Sequence, residues 1–459
     1  MKLRSFDSSF LIVMVAIIAV ILQVLDKTFG NTFTISLGSV FPQANLIVFG
    51  LMVLISITIQ IVLIKKTKES INVERSKSRL GKSILVIANL LQFSGSGIIV
   101  IILFQIIFTS KYSVDLLGTV VGINLIISSV LLAILSSRLV RTYRTSPSKV
   151  VLAYSISIAI LSLSGIITFI YIDDFLQGKP DYITSQYSPW NSYSPTISPD
   201  LLSAYQSIGI MSFVSLWIAT LFLTYHYAKS KRIKYWTMVS IPLVYFVSLY
   251  IIPFLEHLDL LGALGVDDNP IYAYSYNFFL NTVRTAGGIM FGIAFVLISR
   301  NIVHIQLKKS IIMAGISFIL LFGANASSLV IAGSYPPWGG ISITFMITGA
   351  YLLIVGLDSA AFYLATDSSL RKIIAKSPQK EYDFLKSLGY RGTEDIVATN
   401  IKDLTKQVYD EIESNNLFYI SSEPDNVHEY INEVLAEVRK GDQNLPQKEK
   451  DKPSNQAQK

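Results

Sequence analysis

Cysteine is absent from all 459 residues, and histidine occurs only four times. The first absence removes disulfide frameworks, thiolate metal centres and cysteine nucleophiles, although it fixes no compartment. The second leaves too few ligands for a haem or multi-copper site. Charge is scarce as well: Asp, Glu, Lys and Arg make up 15% of the chain, against 51% apolar residues and a mean hydropathy of +0.51. Soluble domains of this length carry more charge than that. Walker loops, dinucleotide fingerprints, HExxH and GxSxG are missing. No cluster of carboxylates falls inside an apolar run, as a proton pump would need. An enzyme is therefore the least supported class, and the residues call for no cofactor, no metal and no nucleic-acid partner.

What the chain has instead is long apolar runs. A hydrocarbon core of ~30 Å needs ~20 apolar residues per helix, and runs of about that length recur from Ser9 to Ala365. Ten spans are expected, at 8–25, 44–64, 83–108, 116–137, 149–172, 201–228, 236–254, 277–299, 309–333 and 341–365. The first follows Lys2 and Arg4 but is too long for a signal-peptide core and lacks a small-residue cleavage site, so it reads as a retained span. One set of connections is basic (Lys65, Lys66, Lys68, Arg75, Lys77; Arg138, Arg141, Arg144; Lys229, Lys231, Arg232; Arg300, Lys308, Lys309). The other is acidic and aromatic, with Asp173, Asp174, Asp181, Asp200, Glu256, Asp259, Asp267 and Asp268. The two sets alternate as ten spans require, which puts both termini in the cytoplasm of a multi-pass cell-membrane protein. The net charge of +7 then sits where anionic lipid headgroups attract juxtamembrane bases. The fold class is all-α: a bundle over 1–365, a small helical cytoplasmic tail over 366–441 and a polar, disordered end over 442–459.

Between the last two runs stands "SYPPWGG", Ser334–Gly340. Proline cannot continue a helix and pushes the preceding residue out of helical dihedrals. Glycine relieves the reversal, and Tyr335 and Trp338 suit a headgroup layer. The stretch reads as a stiff outer hairpin with an aromatic anchor. This Tyr-Pro-Pro-aromatic-Gly loop, the span after it and the tail segment "HEYINEVLAEVRK" (His428–Lys440) resemble a group of multi-span membrane proteins from ammonia-oxidising archaea. The resemblance covers about the last quarter of the chain. It implies an archaeal host and supplies no mechanism.

Two longer outer segments, Asp173–Asp200 and Glu256–Asn277, read as an irregular cap and a short interfacial helix leading to a tyrosine-rich entry. Glu256, His257 and Asp259 are too closely spaced for a defined metal site. His226 and His304 stand at inner ends of spans, where interfacial placement accounts for them.

In the tail, Ile396, Val397, Ile401, Leu404, Val408 and Ile412 form one apolar stripe. Val427, Tyr430, Ile431, Val434, Leu435 and Val438 form a second, opened by a Ser422–Asp425 capping spacing and closed by Gly441. Neither helix is stable alone. They pack on each other, on the membrane face or on a cytoplasmic protein partner, for which Ile396, Ile401, Leu404, Val408, Ile431 and Leu435 are the contact candidates.

Ionisable groups within spans are functional candidates by default. Arg284 lies seven residues into span eight, ~10 Å deep at ~1.5 Å per residue, and Asp358 lies at similar depth from the opposite side. Either they pair across the bundle, or each meets water or backbone near its own interface. A five-plus-five division of the spans would also give an inverted repeat, in which span three matches span eight. Asn89, Gln92 and Gly95 then align with Asn281, Arg284 and Gly287 at identical spacing. Such glycines either break the helices around a ligand or permit close helix packing. Two functions follow. One is a membrane-embedded sensor, scaffold or complex component whose tail binds a partner. The other is a secondary transporter with its site at spans three and eight.

Overall fold

The computed structural model describes residues 8–36, 42–71, 79–184, 198–230, 232–257, 270–300, 302, 304–325, 335–367, 374, 384–390 and 392–393. The chain divides into two compact units, Met1–Tyr390 and Arg391–Lys459. The second unit lies outside the described residues except at 392–393. Both tail stripes, including Ile396, Ile401, Leu404, Val408, Ile431 and Leu435, therefore fall outside them.

Among the described residues the first unit contains α1 (Ser8–Ser36), α2 (Pro42–Ile71), α3 (Arg79–Thr109), α4 (Val114–Thr145), α5 (Lys149–Gln177), α6 (Pro199–Ser230), α7 (Arg232–His257), α8 (Pro270–Arg300), α9 (Ile305–Asn325), α10 (Gly340–Ile343) and α11 (Phe345–Thr366). A small ribbon joins β1 (Lys111–Ser113) to β2 (Tyr182–Thr184), antiparallel, with Tyr112 opposite Ile183. Among the described residues, seven stretches are long and apolar enough to cross a membrane: Gln43–Thr67, Val114–Thr145, Lys149–Gln177, Pro199–Tyr225, Thr282–Arg300, Ile305–Ala324 and Gly340–Thr366. Helices are the expected solution, because backbone groups in hydrocarbon must be satisfied within the segment. Large apolar side chains also face outward, among them Phe108 (78% exposed), Leu90 (69%) and Val244 (66%). Such surfaces are untenable in water and ordinary in lipid. The chain is an all-α, multi-pass membrane protein.

The centre of the bundle is the α10–α11 segment. The most apolar stretch of Gly340–Thr366 is 100% buried, against 44% for Gln43–Thr67. The sequence predicts a continuous span ten, but its helix is interrupted at Thr344, whose N–H turns to the carbonyls of Ile341 and Ser342. It also predicts that span nine runs to 333; α9 ends at Asn325, and residues 326–334 lie outside the described set.

With lipid tails as apolar as the core, helices associate here by close packing and polar contacts. Glycines bring α8, α9 and α11 into backbone contact. A Cβ on Gly292 would lie 2.7 Å from the Gly315 carbonyl oxygen, and one on Gly315 would lie 2.7 Å from that of Gly292. A Cβ on Gly356 would meet Ser310 O at 2.8 Å. The α4–α5 hairpin uses serines instead. Ser136 Oγ donates to Ser155 O (2.8 Å), Ser155 Oγ to Ser136 O (3.2 Å) and Ser162 Oγ to Ser129 O (2.7 Å).

Gly315→Val should therefore push α8 from α9 at a cost of about 1–3 kcal/mol, typical of overpacking. Gly97→Ala, where nothing lies within 4 Å, should leave stability unchanged or slightly raised. Thermal unfolding of both variants in one detergent checks the contrast.

Candidate functional site

Proline and glycine between α9 and α10 create a local problem. The Trp338 N–H donates to Pro336 O (2.8 Å) and the Gly340 N–H to Pro337 O (3.2 Å), closing a tight turn after a cis Tyr335–Pro336 bond. Gly339 follows with φ 87°, a left-handed conformation glycine adopts without strain, and it is the N-cap of α10. The first amides of a helix have no partner within it, and a glycine cap has no side chain to supply one.

Asp26, in the second half of α1, supplies it. The Gly339 N–H donates to Asp26 Oδ1 (3.0 Å), and the Ser342 N–H (2.8 Å) and Oγ (2.7 Å) donate to Oδ2. Ser342 Oγ also lies within hydrogen-bond distance of the Gln23 carbonyl (3.2 Å). A carboxylate here meets both free amides and the positive end of the helix dipole. Its chain neighbour performs the opposite task. Lys27 Nζ donates to the carbonyl of Gly323, in the last turn of α9, and Gln23 Nε2 donates to Leu320 O (3.3 Å). Adjacent residues on a helix point ~100° apart, so one can face α10 and the next α9. Asp26, Lys27 and Gln23 are fully buried. The two ends of the α9–α10 connection are thus held by neighbouring residues of opposite charge.

Trp338 is also enclosed by protein, with Phe49 edge-on at 5.3 Å, and not presented to a headgroup layer as its sequence position suggests. Tyr335 stacks on Tyr112 of β1 at 6.3 Å. Burial raises the Tyr335 hydroxyl pKa above its ordinary value. A second polar node lies beyond the loop. Gln60 of α2 accepts from Ser96 Oγ of α3 (2.8 Å) and donates to Thr344 Oγ1 at the α10–α11 break (2.7 Å). A small cavity lined by Ser56, Ser96 and Thr344 adjoins it.

Among the described residues, those expected to form a site are drawn to different neighbours. Arg284 does not pair with Asp358. Its guanidinium lies over Tyr205 of α6, 5.7 Å from the ring centroid, and within electrostatic reach of Lys27. Asp358 pairs with Arg138 of α4 at 2.5 Å, both partly exposed. Neither aligned glycine breaks its helix, since α3 and α8 run through them. Gly95 closes on Asn124 of α4, 2.9 Å from where its Cβ would be, and Gly287 closes on the Phe213 ring of α6. Asn89 is buried on α3, and its Oδ1 accepts no hydrogen bond among the described residues. Gln92 and Asn281 lie on α3 and α8, with side chains outside the described residues. Glu256 and His257 end α7, and Asp259 falls outside.

Asp26 and Lys27 escape sequence reasoning because the expected first span stops at Leu25, directly before them. The available signal is the apolar and aromatic residues that follow, since α1 continues to Ser36.

Removing one member of a buried charge pair costs about 3–5 kcal/mol, so Asp26→Ala should destabilise more than Ser342→Ala, which removes one donor at about 1–3 kcal/mol. Asp26→Asn combined with Lys27→Met should cost less than the sum of the two singles. Melting curves of these variants, with the two singles alongside the double, check both statements.

No family model matches this chain, and no curated protein or solved structure matches it.

Proposed function

We propose that the chain is a ten-span protein of an archaeal cell membrane, with both termini cytoplasmic, that serves as a membrane-embedded sensor, scaffold or complex component and binds a cytoplasmic protein through its tail. The observation that carries this reading is the closure of Gly95 on Asn124 and Gly287 on Phe213 within continuous helices. The segments that would part around a transported solute are packed against different neighbours. The α10–α11 segment, wholly buried along its most apolar stretch and clamped at its start by Asp26, supports a bundle built to hold its shape. Ten of the helices labelled above have 21 residues or more, which supports the ten-span count.

One observation favours a second reading. Arg284 and Lys27 bring two cationic side chains near each other where α1, α6 and α8 meet. In the five-plus-five transporter reading, an anionic solute would bind there, and Arg284 would be required for uptake.

Because the chain lacks cysteine, single introduced cysteines report orientation cleanly. Ser198→Cys should react with a membrane-impermeant maleimide on intact cells, and Lys149→Cys only after permeabilisation. Reversed labelling would overturn the orientation.

Deletion of residues 396–441 should abolish co-purification of cytoplasmic partners from native membranes, while Arg284→Ala leaves solute uptake unchanged. An unchanged partner set, or uptake of an anion lost with Arg284→Ala at normal expression, would replace this reading with transport.

A further inference from the structure

Immediately before the tail unit, residues 384–390 form a short helix within the first compact unit. Phe384, Leu385 and Leu388 are buried. The Phe384 ring lies 5.8 Å from that of Tyr154 on α5 and 6.1 Å from that of Phe295 on α8. Tyr154 in turn meets Phe318 of α9 at 6.1 Å and shares a 3.3 Å hydrogen bond with Thr220 Oγ1 of α6. Gly389 backs onto the central helix, 3.2 Å from Leu364 Cβ at the position of its missing Cβ. Ser146 Oγ, just past the end of α4, donates to Ser387 Oγ at 3.2 Å.

We infer that residues 384–390 are a joint that transmits the state of the cytoplasmic tail into the bundle, an inference that rests on the tail reading above. A tether needs only length. This segment touches α5, α8, α11 and the residue that ends α4 within about two helical turns, and it does so directly upstream of Arg391, where the second unit begins. So short a segment is far from helical alone. Undocking and unwinding are therefore a single event, which gives the segment two discrete states and no continuum between them. Through Phe384, that event removes a ring from the aromatic group that connects α5, α8 and α9. Through Gly389, it frees one face of the central helix.

The cysteine-free background makes the test direct. In the full chain in its native membranes, Ser146→Cys with Ser387→Cys should form an intramolecular disulfide under mild oxidation. Phe384→Ala added to that pair should slow the reaction at least fivefold. Disrupting the tail stripes in the same full chain, with Leu404→Glu and Leu435→Glu, should change the rate at least threefold in either direction. Failure of the pair to crosslink would overturn the docked joint. So would fast crosslinking with a rate indifferent to the tail substitutions, even where those substitutions abolish partner co-purification; the tail reading would then stand without the joint. Maleimide reactivity of Leu388→Cys, compared with and without the tail substitutions, tests the same joint without relying on a disulfide. Reactivity that rises or falls with the tail supports the joint, and constant low reactivity overturns it.

Discussion

A carboxylate and an ammonium on consecutive residues of α1 hold the two ends of one connection, and the centre of the bundle depends on that grip. Asp26 closes the amino end of α10, and Lys27 binds the carbonyl end of α9. Each charge meets the helix end of opposite polarity, in surroundings where an unpaired charge or a bare amide would be costly. The most apolar stretch of the α10–α11 segment that starts there is wholly buried. Where it begins fixes which of its residues meet Gln60, which meet α9 and where Asp358 reaches Arg138. A shift of that start by one residue would turn each contact by ~100° around the axis.

The same logic explains why a loop with the composition of a headgroup anchor is not one. Two prolines remove donors from a turn that has few acceptors, glycine supplies the left-handed residue, and tryptophan fills the space against Phe49. Its ring faces protein because the turn is pinned to α1. Aromatic and glycine content alone cannot distinguish a lipid-facing anchor from a plug; the identity of the neighbour decides.

Much of the architecture is legible from hydropathy, because a helix in hydrocarbon announces itself by length and lack of charge. Pairing between helices is not. Residue counting puts Arg284 and Asp358 at comparable depths from opposite ends of the bundle, yet each finds a nearer partner: Tyr205 for one, Arg138 for the other. By hydropathy Arg138 belongs to an inner connection, whereas α4 carries it on to Thr145. Gly95 and Gly287 align in sequence, but a glycine's meaning lies in what fills the space beside it, here an asparagine amide and a phenyl ring. The glycines that set backbone-to-backbone contact, Gly292, Gly315 and Gly356, carry no sequence pattern that separates them from the rest.

The clamp also orders events during synthesis. Asp26 and the amides it binds are 313 and 316 residues apart, so at about 5–20 residues per second the first helix waits roughly 16–60 s for its partner. During that interval two polar side chains reside in a nascent bundle with a vacant axis. Of the seven long apolar stretches among the described residues, the last to leave the ribosome is the one that occupies the middle. The helices made before it must therefore gather loosely enough to admit it, and any factor that shelters the unfinished bundle has to keep that axial gap open until Phe345–Thr366 has been made.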